Sequence, residues 1–478
     1  MKRVLLLVAL LAMLMAACVQ QKADISADSQ KTQQNTRPVQ DEKHETAMAS
    51  NDLFQFENYL DMLLSQGHGI GDDVYGTIVE RIARMEKEGA SGEQWERIKD
   101  KAERLKPQSG GSPAKPESAF ALRQKGLLSP RGCNGTGSFK LGASPMALED
   151  IEKIRPMGGM TSVHITPTDH QYWDTVESDG RSDDKANIER FKVYAPADGF
   201  IVDIEQHTDY RVVIEHSCTF YTIFIHVDRL SGKIMAAAGL KEGEVGNHAW
   251  PRIPVKEGEA IGTIGIGKVD FSVVDADVTL KGFAKPSSYE EGEPWKIHTV
   301  DTFDYYKGSL RSQLIAKNVR TAEPLGGKID HDISGRLVGN WFKEGTNGYK
   351  SDESEDYWKT HLSVAYDSID PSQIIISIGN FDGRGDQYGV TGNSPDPAHV
   401  DGLVKYELVT FDYFIGDTST KWNPAKFSNN IKARNLGEVR GVALFAVLPE
   451  NKLKAEFFPG KKASDVTGFT STAIIYER

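Results

Sequence analysis

Cysteine is scarce in this chain of 478 residues: Cys18, Cys133 and Cys218 are all there is. Cys18 falls in an N-terminal segment taken up below, which leaves at most one intramolecular pair. An exported pair can form a disulfide, and two buried thiols are the alternative; the spacing leaves both open. Basic residues are outnumbered, 56 against 68 acidic, for a formal charge of −12. A general nucleic-acid binder would carry a basic footprint, so that class is set aside. Long apolar runs are missing except for Val4 to Ala17, which is too short for a comfortable membrane span. There is no glycine-rich phosphate loop, no nucleophile-elbow pattern and no internal repeat.

What is present begins with that apolar run. Lys2 and Arg3 precede it and small residues close it, the marks of a secretory signal over residues 1–18. Met15-Ala16-Ala17-Cys18 resembles a bacterial lipobox, in which the cysteine is lipidated and becomes the new N-terminus. Val19, rather than aspartate, after Cys18 favours the outer membrane if the host has one. Residues 19–50 have almost nothing to bury and read as a flexible tether. Residues 51–106 carry Leu53, Phe56, Leu60 and then Ile78, Ile82 and Met85 at helical spacing, a small helical module. Residues 107–117, rich in Ser, Gly and Pro, are a linker.

The remainder is β in texture, as 45 glycines and 20 prolines suggest. Residues 118–310 form a central β domain with strand candidates at Phe191–Tyr194, Gly199–Glu205, Arg211–Glu215 and Phe220–Ile225. Residues 326–478 hold six further strand-like runs, enough for a separate sandwich or barrel. Gly383-Arg384-Gly385-Asp386 and Ser394-Pro395 read as turns, and Asp330-His331-Asp332 as a solvated turn.

Chemistry-bearing residues concentrate between His164 and Asp275. Five motifs there resemble the lysostaphin-type metallopeptidases, whose fold is the duplicated hybrid motif. They are His164…Asp169, the turn Ala195-Pro196-Ala197-Asp198-Gly199, the strand Val212–His216, the strand Thr222–His226, and the turn Val255-Lys256-Glu257-Gly258…Gly262. The resemblance implies a small β domain holding one Zn²⁺ and acting on peptide cross-links of peptidoglycan. The family's first motif is a histidine with an aspartate four residues on; His164 and Asp169 are five apart. Its final motif, His-x-His-Phe, aligns with Lys268-Val269-Asp270-Phe271. The resemblance therefore implies metal ligands at His164, Asp169 or His170, and Asp270, and catalytic positions at His226 and Lys268. A carboxylate can replace an imidazole at zinc, whereas an ammonium cannot replace a neutral imidazole that orients water. By strand parity His170 joins His164, which leaves Asp169 behind the ligands. His216 reads as a structural strand histidine.

The expectation is a mainly β, lipid-anchored cell-envelope protein: a lysostaphin-like domain, a C-terminal β domain and a helical module. It binds cell-wall peptide or a partner hydrolase with weak or no hydrolysis. The alternative is an active zinc metalloendopeptidase with a rewired His/Asp site.

Overall fold

A computed structural model of the chain describes residues 53, 56, 57, 60, 64, 72–87, 89–106, 133, 135–178, 189–265, 267–352 and 356–478. The signal segment with Cys18, the tether and the linker lie outside the described residues. The chain divides into two compact units, Met1–Ser112 and Pro113–Arg478.

In the first unit, helices α1 (Asp72–Lys87) and α2 (Glu93–Arg104) bury Ile78, Met85, Trp95, Ile98 and Ala102 together with Leu53, Phe56 and Leu60. A buried carboxylate in this unit, Glu57, accepts from Arg97 (2.9 Å) and Lys101 (3.0 Å).

The second unit is mainly β. Among the described residues, twelve strands build its first half: β1 (Ile151–Arg155), β2 (Gln171–Thr175), β3 (Phe191–Tyr194), β4 (Gly199–Gln206), β5 (Tyr210–Ser217), β6 (Phe220–Val227), β7 (Arg229–Leu230), β8 (Asn247–Ala249), β9 (Ile253–Val255), β10 (Ala260–Ile264), β11 (Lys268–Asp275) and β12 (Thr299–Val300). The large sheet runs β1-β2-β11-β6-β5-β4-β8, with β12 on β11 and β9 on β4; β3-β10-β7 is a second, small sheet. Alternation decides what each face carries. Val269, Phe271 and Val273 of β11 point into a core shared with Trp173, Val212, Ile214 and Phe224. The intervening Asp270 and Ser272 therefore face the opposite side, where the candidate chemistry lies. The outer edge of β1 is bonded by the chain at 317–319: Ile154 N–H donates to Lys317 O (2.8 Å) and Val319 N–H to Ile154 O (3.0 Å). Cys133 and Cys218 form a disulfide, closing a separation of 85 residues.

The second half is a closed eight-stranded barrel: β13 (Gly339–Lys343), β14 (His361–Tyr366), β15 (Ile374–Phe381), β16 (Arg384–Val390), β17 (Leu403–Ile415), β18 (Ile431–Leu448), β19 (Lys452–Pro459) and β20 (Ile474–Glu477). Trp341, Leu362, Val364, Ile376 and Ile378 fill it. Arg384-Gly385-Asp386, read above as part of a turn, belongs to β16; the reversal is at Asp382 and Gly383, both at positive φ. β16 reads poorly because its first half is polar and half-exposed. Asp330, His331 and Asp332 are not a solvated turn either. Asp330 accepts from Gly282 N–H (2.8 Å), Asp332 from Ala284 and Asn340 N–H, and His331 pairs with Lys328 O (3.1 Å). Among the described residues no helix is long and apolar enough to cross a membrane.

Candidate functional site

The site face of the large sheet is laid out by register. Asp270 of β11 stands opposite Tyr172 of β2 and Ile225 of β6, and Lys268 stands opposite Asp174. His226 follows Ile225 at a positive φ of 67°, a conformation uncommon for a non-glycine residue. It sets Nδ1 2.9 Å from Asp209 Oδ2 and Nε2 3.5 Å from Asp270 Oδ2. His170, immediately before β2, places Nε2 3.2 Å from the same Asp270 oxygen and Nδ1 3.1 Å from Asp169 Oδ1. Asp169 in turn accepts from Trp295 Nε1 at 2.5 Å. One buried carboxylate, Asp270, is thus shared by two imidazoles, and a second fixes the far nitrogen of one of them.

The charges follow from these contacts. Burial pushes His170 and His226 down, but Asp270 acts on both, with Asp169 beside His170 and Asp209 beside His226. Both end above the usual imidazole value. Burial raises Asp169, yet the Lys296 ammonium, His170 and Trp295 outweigh it and hold the carboxyl low. His164 keeps a solvent-exposed face on a loop tip, its ring 5.8 Å from that of His170. Crowding by protein atoms, then His170 and Lys296, lowers it to about 4.

Sequence reasoning passed over Asp174. It is four residues after His170, the spacing of the first family motif, and shares His170's side of the strand. The signal was there in the spacing, hidden by the earlier histidine His164. In the structure the space between the two is taken by Tyr172, the intervening residue on that face. Its ring lies 4.9 Å from the His170 ring, with the Arg155 guanidinium at 4.5 Å and Lys268 Nζ at 5.6 Å. Asp174 turns to cations instead: Arg155 grips both its oxygens (2.8 and 3.0 Å) and Lys153 Nζ lies 3.3 Å away.

The residues marked in the sequence thus meet in pairs: His170 with Asp169, Asp270 and His164, and His226 with Asp270. Lys268 lies by Tyr172 in the same array. Among the described residues, the group whose ligand atoms all lie within 4.8 Å of one another is elsewhere on the sheet: Asp203, Glu205 and His248. Asp203 and Glu205 are two apart on β4, and His248 of β8 stands opposite Glu205. These side chains are of the type that holds a metal ion. Arg211 already donates to Asp203 (2.7 Å) and Glu205 (3.3 Å), so an entering cation has to displace a guanidinium.

A zinc ion between His170, Asp174 and Asp270 does not fit the residues present. Tyr172 occupies the intervening space and two fixed cations flank the second carboxylate. Orphaned groups remain all the same: Asp270 Oδ1 and His170 Nε2 are buried without a hydrogen-bond partner. His216 is used structurally, between Asp198 O (2.8 Å) and Thr222 Oγ1 (2.9 Å).

No protein-family model and no curated protein matches the chain. Among solved structures it is similar to a zinc-containing peptidase from Vibrio cholerae, at 15% identity and a TM-score of 0.18. That match covers 29% of this chain and 37% of the peptidase, so the chain spans well under half of that protein. It is also similar to lysostaphin, at 11% identity and a TM-score of 0.18, over 53% of this chain and 93% of lysostaphin.

Proposed function

We propose that this is a lipid-anchored cell-envelope protein whose lysostaphin-like domain binds peptidoglycan peptide, or a cell-wall hydrolase, with weak or no hydrolysis of its own. The observation that carries the reading is the fate of Asp174. The carboxylate at the motif spacing is neutralised by Arg155 and Lys153 behind the Tyr172 ring. Two protein cations thus occupy the carboxylate that a zinc at this spacing would need as a ligand. Lys268 at the position of an assisting histidine points the same way. The disulfide supports an exported location, and the motif ending at Cys18 supports lipidation there.

Isolated sacculi provide the test. The purified protein is expected to co-sediment with them and release no soluble muropeptide. Robust release, abolished by chelator and by His226→Ala, overturns the reading.

A second reading, an active zinc metalloendopeptidase with rewired ligands, is favoured by one observation. The buried Asp270 Oδ1 and His170 Nε2 have no hydrogen-bond partner, and an ion held by His170, Asp270 and a further group such as His164 or His226 would satisfy both. Under that reading the protein purifies with about one equivalent of zinc, and Asp270→Asn removes it.

A further inference from the structure

The hairpin that carries His164 is held from outside its own domain. Its base is a pair of bonds, Gly158 N–H to Thr168 O (2.7 Å) and Thr168 N–H to Gly159 O (3.0 Å). Its tip is closed by Thr161 and His164, each donating to the other's carbonyl (3.1 and 2.9 Å). The tip residues 161–164 are exposed, and Ser162 sits at a positive φ of 51°. Such a tip has little burial to fix its position.

The barrel supplies what is missing. Gln387 of β16 takes both backbone groups of Ser162: its Oε1 accepts from Ser162 N–H (2.8 Å) and its Nε2 donates to Ser162 O (3.0 Å). The same Nε2 reaches Ser377 Oγ of β15 at 3.1 Å, which fixes the amide's orientation. The approach requires a glycine two residues earlier. A Cβ on Gly385 would lie 2.9 Å from Ser162 O and 3.0 Å from Ile165 Cδ1. A bare strand position and a primary amide matched to both backbone groups of one residue make a docking point for the hairpin. From there the chain runs through Ile165 to Asp169 and His170, so the docking point also sets the approach to Asp270.

We propose that Gln387 is a positioning residue of the candidate site. Through Ser162 the C-terminal barrel sets the stance of the hairpin and of His164 opposite His170, and with it the opening presented to a ligand. The role in ligand access rests on the binding function proposed above; the mechanical role does not.

The experiment is hydrogen exchange on the full chain carrying Gln387→Ala or Gln387→Glu, read at the amides of 158–168 and, as control, at those of β14–β16. Loss of both bonds in the alanine variant is expected to speed exchange at Ser162 about tenfold. The control strands should keep wild-type rates. The glutamate variant keeps an acceptor for Ser162 N–H and loses the donor to its carbonyl, so about threefold is expected. Exchange at Ser162 within twofold of wild type in the alanine variant overturns the proposal. If alanine also loosens β14–β16, the glutamate variant decides, and a wild-type rate there is equally fatal. Sacculus binding measured alongside should weaken in the alanine variant. Failure of the wild-type protein to bind sacculi sinks the binding function and leaves the exchange result standing.

Discussion

Asp174 is the residue on which the electrostatics of the site turn. Its carboxylate is buried and held by Arg155 and Lys153, so removing one cation leaves a charge short of compensation. Breaking a buried pair from one side costs about 3–5 kcal/mol. Arg155→Ala is therefore expected to lower stability toward the lower end of that range, because Lys153 remains; urea unfolding checks it. His170 and His226 give a second prediction. Both are raised above the usual value of 6.5, so their pairing with Asp270, Asp169 and Asp209 contributes fully below about that pH. The contribution is lost as pH rises through the folded-state values. Stability measured from pH 6 upward should fall in the wild type and flatten in a His170→Gln, His226→Gln double variant. At this scale the sequence was half legible. His170 and His226, both marked in the sequence, lie beside Asp270; alternation along β2 and β11 turns His170 and Asp270 to one face. The loss of Asp174 to Arg155 was not legible, because it depends on a cross-strand neighbour 19 residues away on β1.

At the scale of elements, the four strands marked in the central domain were read nearly to their ends. β3 matches residue for residue, and β4, β5 and β6 each extend by one to three residues. Apolar periodicity sets those limits, and burial on one face enforces it. β1, β2, β16 and β19 were among those not marked, β16 because a polar edge to a barrel strand looks like a loop. The pairing of Cys133 with Cys218 could not be read from spacing, since it depends on where the chain at 133 returns to the end of β5. A cross-link closing 85 residues contributes about 2–5 kcal/mol by the loop-entropy argument. Cys133→Ser is expected to lower the urea midpoint accordingly, and reductant should do the same to the wild type but not to the variant.

For the whole molecule, the division into two units gives two separable acid responses. In the helical unit the hydrogen bond from Arg97 to Glu57, helped by Lys101 and Gln94, lowers that carboxyl from 4.5 to about 2. Its stabilising effect is complete above about pH 4.5 and lost as pH falls toward 2. Since Arg97 is half exposed, the amount is roughly 1–2 kcal/mol. Glu57→Gln should remove the acid-dependent part of the helical transition seen by circular dichroism, with the β signal of the second unit unchanged.

The bonding of the β1 edge by residues 317–319, together with the closure of the barrel, has a consequence for recognition. Strand addition is a common way to hold an extended peptide, and it needs an unpaired backbone edge. Neither the barrel nor β1 offers one, and the opposite edge of the large sheet, β8, is three residues long. Under the binding function proposed above, none of these described edges serves strand addition, and a peptide there is read by side chains rather than by its main chain. Ligands with N-methylated backbones should bind about as well as their parents, while changes to their charged groups should not be tolerated.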